Sequence, residues 1–152
     1  MSIKIGINGF GRMGRLTFRV LWQMQDVDII QINDPAGNSE TLAHLLNFDS
    51  IHGKWQHQAS ADSNSIVIDD KHVAITHHQQ IDQTDWSSCD IVIEASGQFK
   101  SKATLAPYLA QGVKRVVVSA PVKEEGVLDV VMGVNDDLYE PQNHQIISGA
   151  SC

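Results

Sequence analysis

An apolar run, Ile3-Lys4-Ile5-Gly6-Ile7-Asn8, leads directly into the turn Gly9-x-Gly11-x-x-Gly14. Such a run, bounded by glycine, predicts a strand buried on both faces by helices. Residues 12–24 follow with Met13, Leu16, Val20, Leu21 and Met24 at helical spacing, which predicts one apolar helix face. A second apolar run ends at Asn33, and Asp34 stands twenty positions after Gly14. Strand, glycine turn, helix, strand and acid in this order are the fingerprint of a dinucleotide-binding βαβ unit.

In that unit Gly9 turns the chain off the strand, Gly11 lets backbone approach a pyrophosphate, and Gly14 lets helix pack on sheet. The N–H groups and positive dipole end of a helix starting near residues 10–12 face the phosphates. Asp34 can accept hydrogen bonds from the adenosine ribose hydroxyls. It repels a 2′-phosphate, and no arginine follows it, so NAD is favoured over NADP. The expected cofactor contacts are Asn8, Gly9, Phe10, Gly11, Arg12 and Met13, with Asn33, Asp34 and Pro35. The competing reading is a ligand-free glycine turn and a solvated acid preceding Pro35.

The rest of the chain alternates in the same way. Residues 39–47 read as a helix capped by Ser39, with Leu42, Leu45 and Leu46 as its packing face. Residues 65–69 and 72–76 flank a polar Asp69-Asp70-Lys71-His72 turn, which predicts a hairpin. Residues 90–95 and 114–119 read as buried strands. Between them residues 101–111 read as a helix stopped by Gly112, with Pro107 predicting a late start or a kink. Residues 129–132 and 144–147 complete the run. The expectation is one α/β domain over residues 1–152: a Rossmann-like, doubly wound, mostly parallel sheet with a β-hairpin insertion. Ser96-Gly97 and Ser119-Ala120 end two of the strands, where small residues leave room for the nicotinamide half; ordinary strand-to-loop turns are the alternative.

Bulk properties narrow the function classes. With 42% hydrophobic and 19% charged residues the chain is neither disordered nor membrane-spanning. A formal charge of −7 argues against a nucleic-acid surface. No signal peptide is apparent, and Cys89 and Cys152 give no disulfide framework, so the cytoplasm is the expected compartment. No metal site is expected. Cys89 reads as a small buried hydrophobe.

Taken together, residues 7–15, 32–34 and 48–54, then Glu94-Ala95-Ser96-Gly97, Val118-Ser119-Ala120-Pro121, Met132-Gly133-Val134-Asn135 and Ile147-Ser148-Gly149-Ala150-Ser151-Cys152, resemble glyceraldehyde-3-phosphate dehydrogenase in order and spacing. The resemblance implies that Cys152 is the nucleophile and Ser151 flanks the inorganic-phosphate site. It also implies a phosphorylated aldehyde substrate. The aldehyde forms a thiohemiacetal, hydride passes to NAD, and phosphate releases the thioester. Two positions depart from the pattern: Gly149 stands where the family commonly has Asn, and Gln79 where a basic residue lies near the adenine. The stretch Asn33-Asp34-Pro35-Ala36-Gly37 resembles the branch associated with arsenic-resistance operons, in which arsenate replaces phosphate. A sister branch acting on erythrose 4-phosphate usually carries Glu at the position of Asp34.

The family continues past the cysteine into a catalytic domain that supplies a histidine base. None of the seven histidines here is assigned that role: His52 falls in the 48–54 motif, and the others read as surface or hairpin residues. Cys152 as last residue lacks a following helix and carries its own carboxylate, which predicts slow reaction with iodoacetamide. Three readings follow: an NAD-binding half that is inactive alone, a stand-alone NAD-binding module, or an interaction protein forming a homo-oligomer.

Overall fold

The computed structural model describes residues 2–149. Its elements are β1 (Ile3–Asn8), α1 (Arg12–Leu21), β2 (Val27–Asn33), α2 (Ser39–Asn47), β3 (Phe48–Asp49), β4 (Gly53–Lys54), β5 (Ala59–Asp62) and β6 (Ser65–Ile68). They continue with β7 (Lys71–Thr76), β8 (Ile91–Glu94), α3 (Lys102–Ala110), β9 (Arg115–Val118), β10 (Leu128–Val130) and β11 (Ile146–Gly149). Nine strands form one sheet in the order β10-β11-β9-β8-β1-β2-β7-β6-β5, while β3 and β4 pair as a separate ribbon. The six pairings from β10 across to β7 are parallel, and β5, β6 and β7 pair antiparallel. The expected Rossmann-like sheet with its hairpin is therefore present. Short β5, which was not expected, extends the hairpin at the edge.

The alternation along β1 explains how both sides are covered. Ile5 and Ile7 point into a core with Phe18, Leu42, Leu46 and Ile32, on the side of α1 and α2. Gly6 faces the opposite layer, where Trp86, Cys89, Leu105 and Tyr108 of the α3 side are fully or nearly buried. The β6–β7 hairpin turns at Asp69 and Asp70, both left-handed (φ 51° and 63°). A two-residue turn of this hand matches strand twist, and Asp tolerates it better than most residues.

Three local expectations are corrected. Helix α1 ends at Leu21, and its buried residues are Gly14, Phe18 and Arg19; Met13, Val20 and Met24 are 56%, 58% and 48% exposed. A side-chain carbon at Gly14 would lie 2.1 Å from the Gly9 carbonyl oxygen. That close approach sets the helix rotation, and Phe18, one turn on, follows Gly14 inward. The cap of α2 is Asn38, whose side chain accepts from the Thr41 N–H at 2.9 Å; Ser39 lies just inside the helix and is buried. Helix α3 starts on time at its Ser101 cap despite Pro107, and Gly112 follows it in left-handed conformation (φ 95°). Pro107 leaves one helical carbonyl without its usual donor, a loss that interior packing of Leu105 and Tyr108 offsets. No helix among the described residues is long and apolar enough to cross a membrane.

Candidate functional site

From β1 the chain winds outward to β2 and β7, then returns to β8 and β9 on the other side of β1. A crevice therefore opens at the carboxyl ends of β1 and β8, the position where open α/β sheets bind ligands. The first wall of this crevice is the Gly9–Gly14 turn. Gly9 is left-handed (φ 90°), and a side-chain carbon there would lie 2.4 Å from the Ser96 nitrogen. Gly14 is excluded from bearing a side chain by the Gly9 carbonyl, as above.

Gly11 differs. Its backbone (φ −66°, ψ −165°) is open to any residue, and nothing lies within 4 Å of where a side-chain carbon would stand. Neither its backbone conformation nor any neighbour among the described residues requires glycine at this point, and its flank is open to a group approaching from outside. Gly11 is also the N-cap of α1 and makes no side-chain cap bond, and the first turn holds no acid. The leading N–H groups of α1 are thus left for an external acceptor, and phosphate is the group that suits them.

Asp34 closes the other end of the turn. Its carboxylate accepts the Phe10 N–H at 2.6 Å and the Ala36 N–H at 2.8 Å. Phe10 is buried against Phe18, ring centroids 5.7 Å apart, and Arg15 donates to the Phe10 carbonyl at 2.9 Å. The turn is thereby fixed from below, from the side and from β2. Pro35 is exposed beside Asp34. Arg12 is exposed and pairs with Asp49 at 2.9 Å. The N–H groups of His52 and Ile51, with Arg12, hold the Asp49 carboxyl below the usual range. Met13 faces outward.

Below the crevice lies a buried polar network whose connections the motifs do not reveal. Asn8 donates to Glu94 at 2.9 Å and to the Tyr108 hydroxyl at 2.7 Å; Tyr108 donates to Glu94 at 2.5 Å. Burial and the Glu94 charge push the Tyr108 hydroxyl pKa up. Ser96 donates to Glu94 through its N–H at 2.9 Å and through its hydroxyl. Asn33 donates to Asn8 at 2.8 Å and accepts from Thr76 and from the His78 N–H. Glu94 is 1% exposed and Asn8 and Asn33 3%. One signal was legible: Glu94 shares the parity of buried Val92 in an otherwise apolar strand, so its carboxylate needed partners inside.

Of the sequence-predicted residues, Asn8, Gly9, Phe10, Gly11, Asn33, Asp34 and Ser96 are brought together at these strand ends. Gly97 is exposed and left-handed (φ 73°). Ser119 and Ala120 are half-buried after β9, and the Ser119 N–H bonds the Glu94 carbonyl at 2.9 Å. Gln79 is exposed, and a side-chain carbon at Gly149 would touch only the Val118 carbonyl, at 3.9 Å. Ser151 and Cys152 lie outside the described residues. Cys89 is buried, and desolvation, then the charges of Asp90 and Asp85, push its thiol up to about 11. His57, read as a surface or hairpin residue, is half-buried against Trp55 and bonds Asp69 in the hairpin turn at 2.7 Å.

Residues 3–102 match the family model described as the NAD binding domain of glyceraldehyde 3-phosphate dehydrogenase. The chain is 44% identical to glyceraldehyde-3-phosphate dehydrogenase 3 of Nostoc, over all of this chain and 45% of that protein. It is 40% identical to the Geobacillus stearothermophilus enzyme (45% of that protein) and 42% identical to the Streptomyces coelicolor enzyme (46%), again over its full length. It spans less than half the length of these relatives. The open flank of Gly11, the uncapped α1 and these matches together place the chain in the glyceraldehyde 3-phosphate dehydrogenase family, as its NAD-binding domain.

Proposed function

We propose that residues 1–152 act as the NAD-holding unit of a phosphorylating aldehyde dehydrogenase. The observation that carries the cradle is Gly11, whose flank meets no atom of the described residues within 4 Å. The pyrophosphate sits at Gly9–Met13 and the start of α1; Asn33, Asp34 and Pro35 take the adenosine ribose; Ser96, Gly97, Ser119 and Ala120 flank the nicotinamide. Asn8 positions the turn from below. Cys152 adds to the aldehyde carbon of a phosphorylated substrate to give a thiohemiacetal. NAD held by the glycine turn and Asp34 would supply the acceptor for the hydride that this carbon gives up as the thioester forms. Inorganic phosphate, or arsenate in the branch that Asn33-Asp34-Pro35-Ala36-Gly37 resembles, then displaces the thiol, with Ser151 beside it. The setting is the cytoplasm, and the 152 residues alone bind NAD without turnover.

Calorimetric titration tests this reading. NAD is expected to bind and NADP to bind at least tenfold more weakly; no binding of NAD at millimolar concentration overturns it. Gly11→Val is expected to weaken NAD by tenfold or more while costing no more than about 1 kcal/mol of stability, because its side chain enters open space and the only loss is a poorer N-cap. Appearance of NADH absorbance when the chain is mixed with glyceraldehyde 3-phosphate, NAD and phosphate or arsenate would remove the claim of no turnover.

A second reading, an interaction surface, has its own observation. Val131, Met132, Val134 and Leu138 are 43–78% exposed beside a hollow of about 470 Å³ lined by Val117, Val130 and Ile147. Exposed apolar residues in one segment, with Met132 lining the hollow, favour contact with further protein. Light scattering of the chain distinguishes a homo-oligomer from a monomer, and a monomer counts against self-pairing.

A further inference from the structure

The carboxylate of Glu94 is the buried charge that the cofactor reading leaves unused. It stands at the carboxyl end of β8, in register with Asn8 of β1 on one side and Val118 of β9 on the other. It is thus central to the crevice, immediately before the Ser96-Gly97 turn. Its two oxygens accept from Asn8, Tyr108, the Ser96 N–H and the Ser96 hydroxyl. The Asn8 and Ser96 nitrogens can only donate, so each of the two carboxylate oxygens accepts from an obligate donor, and the Tyr108 and Ser96 hydroxyls complete the set. All of them are neutral. Among the described residues no lysine, arginine or histidine pairs with Glu94. The negative charge is solvated by hydrogen bonds but not cancelled, and in so dry a setting it reaches further than a surface charge.

The nicotinamide ring carries a positive charge when oxidised and none when reduced; the remainder of the cofactor is the same in both forms. An uncancelled anion beneath that half of the crevice therefore acts on the difference between them. We propose that Glu94 sets the redox preference of the bound cofactor, favouring oxidised NAD over NADH. This rests on the placement of the nicotinamide near Ser96-Gly97 described above. The consequence is prompt release of NADH after hydride transfer, with Glu94 touching neither the substrate nor the reacting carbon.

The test uses the complete 152-residue chain and three probes: oxidised NAD, NADH and ADP-ribose, which lacks the nicotinamide. The wild type is expected to bind oxidised NAD more tightly than NADH. Glu94→Gln, of the same shape and uncharged, is expected to reduce that preference about tenfold. Glu94→Asp retains the preference, and ADP-ribose binds all three proteins within about twofold. An unchanged preference in Glu94→Gln overturns the proposal, as does a parallel loss of ADP-ribose, which would mean a merely structural role. If circular dichroism shows Glu94→Gln unfolded, the wild type decides. A buried charge keeps the preference between about 0.05 and 0.5 M salt, whereas a preference arising from surface acids disappears over that range and overturns the proposal. A wild type that binds oxidised NAD and NADH equally refutes this inference and leaves the proposed function standing; one that binds neither nicotinamide form refutes both.

Discussion

Gly6 carries no positive φ and belongs to no motif, yet the structure leaves it no room. A side-chain carbon there would lie 2.8 Å from both the Cys89 sulfur and the Trp86 ring. Gly6→Ala must displace two buried side chains, and about 1–3 kcal/mol of stability should be lost, measurable by urea unfolding. The same packing governs Cys89: its thiol, pushed up to about 11 by burial, should resist iodoacetamide at neutral pH until the chain is denatured. Mass spectrometry before and after denaturation checks this. These residues mark the limit of sequence reading at this scale. The motif glycines and Asp34 were legible because their spacing is that of a dinucleotide-binding βαβ unit. Gly6 and the contacts of Asn8 with Glu94 and Tyr108 were not, because they join positions 80 to 100 apart.

Among the elements, α1 is the one whose orientation the sequence concealed. Its apolar residues suggested a Met13–Val20 face, whereas contact at Gly14 turned Phe18 and Arg19 inward. Arg19 is tolerated there because its guanidinium donates to the Leu46 carbonyl at 2.7 and 2.9 Å, near the C-terminal end of α2, and more weakly to Gly53. A cation at that end of a helix also meets the negative pole of its dipole. Arg19→Met would keep the apolar stem but strand the Leu46 carbonyl, and should cost about 2 kcal/mol, read as a lower denaturant midpoint at constant slope. A periodicity count scores arginine as outward-facing, so this join between α1 and α2 was invisible to it. The β strands were read more faithfully, because near-continuous apolar runs have few alternatives to a doubly covered sheet.

At the scale of the molecule, stability should form a plateau in pH with two different edges. Asp49, Asp85 and Asp90 are held below their ordinary range by backbone and side-chain hydrogen bonds and, for Asp90, by Lys114. Their contribution is present above the unfolded value of 3.8 and is lost as pH falls through the lower folded values. Cys89 acts in the opposite sense. Its contribution is complete below 9.0 and disappears as pH rises toward about 11, when exposing the thiolate favours unfolding. Thermal melts across this span should show both edges. The parallel sheet and hairpin were legible as an ordered alternation of elements; β5 and the β3–β4 ribbon were not, since two to four residues hold too little pattern.

The carboxylate of Asp34 also bears on redesign. Converting such a site to a 2′-phosphorylated cofactor would ordinarily begin by neutralising this acid. Here the acid is also what the Phe10 N–H is tied to, so the exchange would loosen the turn meant to receive the new ligand. In the proposed function, ribose preference and the shape of the glycine turn share one side chain. Any protein engineer changing the first must supply a substitute acceptor for the second.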